Sequence, residues 1–471
     1  MSTVVNSTCD RARAYTTPCG ETISDGRFVL ATTILASSLA YVDGSVVNVG
    51  LVAIRRSFDA DASALQWVIN AYLLPLSALL LLGGAAGDRF GRRRMLVFGI
   101  SVFAAGSIIC ALAPAFGVLV GGRLLQGVGA AMLAPNSLAL LGQSFSGAAE
   151  GRAVGIWAAA GAIAGAVGPV LGGWLIDLGS WRSIFLINLP LAAAAIYLAS
   201  RFLPGPPAGE RAESVGLDIT GGVLATLGLG ALTFGLTIGS GAAGWTGRAL
   251  ATTSTGVALL VIFVVFEKGA AARAMMPLSL FGSGDFVALT LFTLFLYAAL
   301  GELFVLLPFV LIRGASYSAV EAGAALLPLP ITLGLGSPLA GSLAERIGPR
   351  WLLAVGPLVV ACGFILALRI SAAAPYWTRV LPAVLLIALG LSLAVAPLTT
   401  AVLNAVDARH TGAASGINSA VAETGGLIAT ALLGVVLAGQ GAALMSEFHI
   451  AMGAGALVCV AASLATLAMS R

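Results

Sequence analysis

Long apolar runs broken by short polar or basic connections fill most of the chain. Fourteen of them are long enough to cross a hydrocarbon layer about 30 Å thick, which takes about 20 residues of helix. They fall at residues 28–50, 65–86, 95–113, 117–142, 153–176, 183–202, 218–239, 249–267, 286–312, 320–343, 351–370, 378–403, 411–438 and 449–469. Helices are the form expected, since lipid cannot satisfy an open strand edge. Composition agrees: 59% of the 471 residues are hydrophobic and only 9% charged, against about a quarter charged in a soluble domain. The abundant glycine and alanine suit helices that approach closely in lipid. The first 26 residues are polar and lack an apolar signal core, so no cleavable signal peptide is expected and the first helix serves as its own insertion signal.

Two connections share one pattern. Gly84-Ala-Ala-Gly-Asp88-Arg89-Phe-Gly91-Arg92-Arg93-Arg94 returns 257 positions later as Gly341-Ser-Leu-Ala-Glu345-Arg346-Ile-Gly348-Pro-Arg350. Repeated hinges in an apolar chain point to duplicated halves, the build of many secondary transporters. The expected fold is an all-α polytopic membrane protein with two six-helix bundles, at 28–202 and 286–471. A polar tail (1–27) precedes them. A proline-rich linker and two extra helices (203–285) separate them. The extra pair has no charge at its centre and is assigned no chemistry. With the N-terminus in the cytoplasm, 16 Lys and Arg fall on cytoplasmic segments, 7 on outer ones, and Arg123 within the membrane. The positive-inside rule favours that orientation, with both termini cytoplasmic.

Charges inside the spans are the candidate chemistry, because ionisable groups at depth are costly. Asp43, Glu302 and Glu423 lie roughly 18–24 Å from the cytoplasmic helix starts at 1.5 Å per residue. A buried carboxyl can hold a proton and release it when a cation arrives. The plainer alternative is a carboxylate hydrogen-bonded between helices. Arg123 either pairs with Asp43 or snorkels to the interface. Asp88 can pair with an arginine or cap a helix start. Gly168-Pro169 would bend the fifth helix, and Gly172-Gly173 would admit a close neighbour. The five cysteines (Cys9, Cys19, Cys110, Cys362, Cys459) read as packing residues, and His410 and His449 share no ligand spacing, so no metal is expected. Neither a phosphate-binding loop nor a nucleophile elbow occurs, which leaves ATP-driven transport and enzyme chemistry without support.

Taken together, the hinges and several further stretches resemble the major facilitator superfamily, and within it the fourteen-helix drug:proton antiporters. Val42-Asp43-Gly44-Ser45-Val46-Val47-Asn48-Val49-Gly50-Leu51 is similar to that family's first-helix signature, with departures at Ser45, Gly50 and Val52. Arg123-Leu-Leu-Gln126-Gly127-Val-Gly129-Ala-Ala resembles the fourth-helix motif. Gly168-Pro169-Val-Leu-Gly172-Gly173 resembles the antiporter signature, with Ala164 where its leading glycine stands. Trp67–Tyr72 and Trp181–Pro190 also look like stretches of the family. The resemblance covers about residues 28–440. It implies proton-coupled efflux by alternating access. Protons would couple through Asp43, Arg123, Glu423 and Glu302. The gate would comprise Asp88, Arg89, Gly91, Arg92, Glu345, Arg346 and Arg350. Gly168, Pro169, Gly172 and Gly173 would form a leak-tight bend. The expected cargo is a small lipophilic, cationic compound bound among helices 1, 4, 5, 9 and 13. A dedicated exporter of one endogenous metabolite or lipid stays open, and a non-transporting receptor or scaffold is the alternative of another class. The expected setting is a bacterial-type cytoplasmic membrane. The expected protein is a monomer in contact with lipid, with protons as the coupling ion, no other cofactor, and no nucleic acid partner.

Overall fold

The computed structural model describes residues 26–146, 148–203, 217–241, 243–270, 274–372, 375–407 and 410–469. The polar tail through residue 25 and most of the linker (204–216) lie outside the described residues. The elements in order are α1 (Gly26–Phe58), α2 (Ala62–Phe90), α3 (Arg92–Ala111), α4 (Phe116–Ser144), α5 (Ala148–Leu178), α6 (Ser183–Leu186), α7 (Asn188–Phe202), α8 (Ile219–Gly239) and α9 (Gly247–Ala270). They continue with α10 (Gly284–Arg313), α11 (Ala319–Ala324), α12 (Pro328–Ile347), α13 (Pro349–Ala367), α14 (Leu381–Asn404), α15 (Thr411–Ala431), α16 (Gly434–Ala438) and α17 (Gly441–Ala465). Among the described residues every regular element is helical.

Among the described residues thirteen helices, counting α6–α7 and α11–α12 each as one path, are long and apolar enough to cross a membrane. The fourteenth path is α15, which falls outside that set because Asn418, Ser419, Glu423 and Thr424 interrupt it. It survives as a helix because it packs along α10 and α2 rather than facing lipid. Gly425 and Gly426 let it sit down on α10. A methyl group on Gly425 would meet the Leu294 carbonyl oxygen at 2.6 Å, and Gly301 of α10 lies against Gly426.

Three expected spans are broken rather than continuous. The 183–202 run divides at Ile187 because Pro190 has no N–H to return to the Leu186 carbonyl. The 320–343 run divides before Pro328, which opens α12. The 411–438 run divides at Leu432–Leu433. Its loosened carbonyls at Thr430 and Ala431 accept from Gln66 Nε2, each at 2.9 Å, and Ala431 accepts also from Ser240 Oγ at 2.8 Å. A helix break at membrane depth is tolerable when side chains satisfy the freed groups in this way.

Both repeated hinges turn at a glycine in the left-handed region, Gly91 at φ 96° and Gly348 at φ 87°. A β-carbon is disfavoured in that conformation, which explains the glycine at the same place in each copy. These turns mark the hinge end of the molecule. At the far end the two bundles are joined. Arg55 Nη1 donates to the Leu437 carbonyl at 2.7 Å, Gln66 reaches α15, and the Val320 N–H donates to Asp177 at 3.1 Å. The same end shares one apolar core, where Leu51, Ile54, Leu65 and Phe185 pack with Leu307, Leu311, Leu433 and Leu437. The first bundle keeps its own core toward the hinge end, around Leu39, Leu96, Ile100 and Phe103.

The two inserted helices pack tightly on each other through Gly228, Gly235 and Gly256. In turn, α8 lies against both α2 and α15, with Trp67 and Phe234 in ring contact at 6.1 Å.

Candidate functional site

Four helix paths converge on Asp43 at the middle of α1. Arg123 Nη1 from α4 forms an ion pair with Asp43 Oδ2. Gln126 Nε2, one turn further along α4, donates to Asp43 Oδ1 at 2.9 Å, and Asn188 Nδ2 donates to the same oxygen at 2.9 Å. Both amides also reach Ser107 Oγ of α3, at 2.8 and 3.2 Å. The arginine has further partners: Nε donates to the Val68 carbonyl at 3.0 Å, Nη1 also meets Gln126 Oε1 at 2.9 Å, and its guanidinium carbon lies 4.4 Å from the Tyr72 ring centre. Asp43, Gln126, Asn188 and Ser107 are fully buried, and Arg123 is 1% exposed. Two opposite charges paired with each other, with both carboxylate oxygens of Asp43 accepting hydrogen bonds, can persist in such a place. Arg123 therefore does not snorkel.

The broken helix is what delivers Asn188, since it is the first residue of α7 and its side chain turns inward at the break. The sequence shows it only as part of the Trp181–Pro190 stretch. The proline two residues later is the available signal that a polar side chain sits at a helix start inside the bundle.

Glu423 lies elsewhere. It is half-buried on α15, within electrostatic reach of Tyr41 on α1 and Tyr297 on α10. Tyr41 is 40% exposed and lies against Gly161 of α5. Glu423 has no ion-pair partner among the described residues. Tyr72 is within electrostatic reach of both acids. It is 2% exposed, and its hydroxyl donates to the Ala40 carbonyl at 3.2 Å. The resemblance groups Asp43, Arg123, Glu423 and Glu302 as one proton-coupling set; the structure joins Asp43 to Arg123, Gln126 and Asn188, with Glu423 outside that hydrogen-bonded cluster.

Glu302 is not brought to either place. It points within the second bundle toward Gly455 of α17, where a β-carbon would stand 3.0 Å from Glu302 Oε2, beside Phe364. Its Oε1 has no hydrogen-bond partner among the described residues.

At the first hinge Asp88 of α2 pairs with Arg92 of α3 across the Gly91 turn at 2.9 Å, and Arg92 Nη1 continues to the Ala139 carbonyl of α4 at 2.7 Å. Arg89 lies over the Phe90 ring, and Arg93 donates to the Ser200 carbonyl at 2.5 Å. In the second copy Arg350 donates to the Leu467 carbonyl at 3.2 Å. Arg346 stands in the last turn of α12, and the side chain of Glu345 falls outside the described residues. Each hinge thus ties down its own bundle.

The helix 5 glycines touch two neighbours, not one. Gly168 and Gly172 face α1, with substituted β-carbons 3.1 Å from the Val42 and Val46 carbonyl oxygens. Gly173 faces α11, and Gly323 of α11 returns the contact at Pro169. Backbone therefore meets backbone on both faces of this helix, which small residues allow. Beside this seam, at the far end, a recess of about 370 Å³ is lined by Val52, Arg56, Asp177, Ile312 and Tyr317, among others.

Comparison with known proteins bears on this geometry. The model of the Major Facilitator Superfamily matches residues 33–430. The methylenomycin A resistance protein of Bacillus subtilis is 34% identical over 421 residues, covering 88% of each chain. The multidrug resistance protein Stp of Mycobacterium tuberculosis is 35% identical over 418 residues, covering 87% of this chain and 75% of the relative. Among solved structures, a D-xylose-proton symporter superposes with a TM-score of 0.67 at 16% identity, over 93% of this chain and 97% of the other.

Proposed function

Because this chain belongs to the Major Facilitator Superfamily, we propose that it is a proton-coupled exporter of lipophilic cations working by alternating access. It is a multi-pass membrane protein of a transporter family, and resistance is named in relatives that match over most of its length. The observation that carries the cation reading is Glu423: a half-buried carboxylate without a counter-charge among the described residues, flanked by Tyr41 and Tyr297. An acid attracts a cation, and tyrosine faces add attraction to a desolvated one. One carboxylate cannot serve a proton and a cation together, and that competition is the exchange step.

In this reading Asp43 has a different task. Its charge is already spent on Arg123 and two amides, so it binds α1, α3, α4 and α7 into one body that moves as a unit. Rigid-body motion of two bundles about their interface is a known switching mode. The structure then corresponds to the state closed at the far end, with α5 meeting α11 there and exposed apolar faces on α5 (Ile156, Ile163) and α12 (Leu335, Leu339). The hinge end is assigned to the cytoplasm, both termini with it, in the cytoplasmic membrane of a bacterial cell. The arginine distribution supports that assignment. The transporting unit is taken as a monomer.

The test is proton release from purified protein on adding an ethidium-like cation, with neutral lipophiles alongside. Wild type is expected to release protons with the cation, and Glu423→Gln to bind it more weakly and without release. Silence from well-folded wild type across the panel would sink the cation reading and put a dedicated metabolite or lipid exporter in its place.

A further inference from the structure

The inserted helices, uncharged at their centres, carry two buried acids at the hinge end. Asp218 caps the start of α8, its Oδ1 accepting from the Gly221 N–H at 2.7 Å. Glu267 lies in the last turn of α9. They are 8% and 2% exposed. Both also hold the segment that leads into α10: the Met275 N–H donates to Asp218 Oδ2 at 3.3 Å and the Met276 N–H to Glu267 Oε2 at 2.8 Å.

Three of the four carboxylate oxygens thus have backbone donors. The fourth, Glu267 Oε1, has none among the described residues. A β-carbon built on Gly221 would stand 2.5 Å from both Asp218 Oδ2 and Glu267 Oε1, so those two oxygens share one small space. The Glu267 side chain is within hydrogen-bonding reach of Asp218. Two ionised carboxylates cannot hydrogen-bond each other, and an unmet buried acceptor is costly. One proton resolves both problems, as in other carboxylate pairs that share a site.

We propose that Asp218 and Glu267 form a proton-binding site, in which one proton on Glu267 Oε1 is donated to Asp218 and latches the α9–α10 segment to the foot of the inserted hairpin. With the proton bound the pair carries a single negative charge. Release of the proton to solvent leaves two, and their repulsion loosens the grip on the Met275 and Met276 amides. A metal ion fits poorly, because N–H hydrogens already face three of the oxygens. Among the described residues the surroundings offer no other neutralisation: α2 presents Leu79 and Leu82 to Gly222, Lys268 on α9 is exposed, and Asp218 is the one charged side chain acting on Glu267. The segment held in this way enters α10, the helix of Tyr297 and Glu302, so this proton acts on the second bundle independently of any cargo.

Infrared spectra of the full-length protein in nanodiscs test the site without reference to transport. The wild type minus Glu267→Gln difference is expected to show one protonated carboxylic acid band that disappears as pH is raised. Asp218→Asn, whose amide can donate to Glu267, is expected to lose the same band, and it serves as the reading if Glu267→Gln does not fold. The melting temperature of wild type should fall with rising alkalinity more than that of Glu267→Gln, whose amide keeps the latch closed at every pH. Absence of the band from wild type would overturn the proposal, because both acids would then be ionised. A rise in wild-type melting temperature with calcium or magnesium, lost in both variants, would overturn it in favour of a cation site.

Discussion

Gly173 of α5 lies so close to Ala319 of α11 that a methyl group on the glycine would stand 2.5 Å from the Ala319 carbonyl carbon and from the Val320 Cα. Both obstacles are backbone, so neither can swing aside. Gly323 makes the reciprocal contact with Pro169, where a β-carbon would be 2.5 Å from the carbonyl carbon. The seam between the bundles at the far end is therefore closed by the absence of side chains. Gly173→Val is expected to force this end apart and to abolish transport while leaving each bundle folded. Spin labels on α5 and α11 should report a longer far-end distance in the variant. An unchanged distance distribution would show that the seam is not what holds the end shut.

The Asp43–Arg123 pair leads to a thermodynamic prediction. Breaking a buried pair by removing one partner costs about 3–5 kcal/mol, because the other charge is left uncompensated. Arg123→Gln and Asp43→Asn should each lower stability by that order. The double variant should lose clearly less than the two combined, since the two introduced amides can still hydrogen-bond one another. Denaturation of the four proteins in one detergent measures the coupling. Additive losses would mean that the two side chains do not sustain each other.

Tyr41 and Tyr297 are predicted to matter for charged ligands only. Replacing either by Leu keeps apolar bulk and removes the ring, at a cost of about 0.5–2 kcal/mol in cation binding. Affinity for a neutral lipophile should change little. Binding titrations with matched charged and neutral compounds separate the two, and equal losses for both would assign the tyrosines a packing role.

Gly91 and Gly348 make a paired prediction at the hinges. A β-carbon in the left-handed region costs roughly 1–2 kcal/mol, so Gly91→Ala and Gly348→Ala should each destabilise the fold by about that amount. Gly84 and Gly341 have ordinary helical neighbours and no positive φ, and alanine there should be tolerated. Thermal melts of the four variants decide it.

Read alone, the chain is informative in one dimension. Hydrophobic length set the number of crossings, because lipid demands an unbroken helix of a certain span. The repeated hinge exposed the duplication, because only glycine suits the turn at Gly91 and Gly348. An arginine and an aspartate at one depth, Arg123 and Asp43, could be foreseen as partners for the same reason: charge in an apolar medium needs its opposite. Which acids share a compartment is a matter of helix packing. Glu423 and Asp43 lie at comparable depths, yet Asp43 is enclosed by Arg123, Gln126 and Asn188 while Glu423 has no ion-pair partner among the described residues, and Glu302 turns into the second bundle toward Gly455. Depth along a helix follows from residue number, but the direction a side chain faces depends on how neighbouring helices pack around it. Asn188 enters the network through a break caused by Pro190. Asp218 and Glu267 meet only when α8 and α9 fold back on each other. Contacts between residues 49 positions apart leave no periodic trace in the chain, so no reading of hydrophobic pattern could have found that pair.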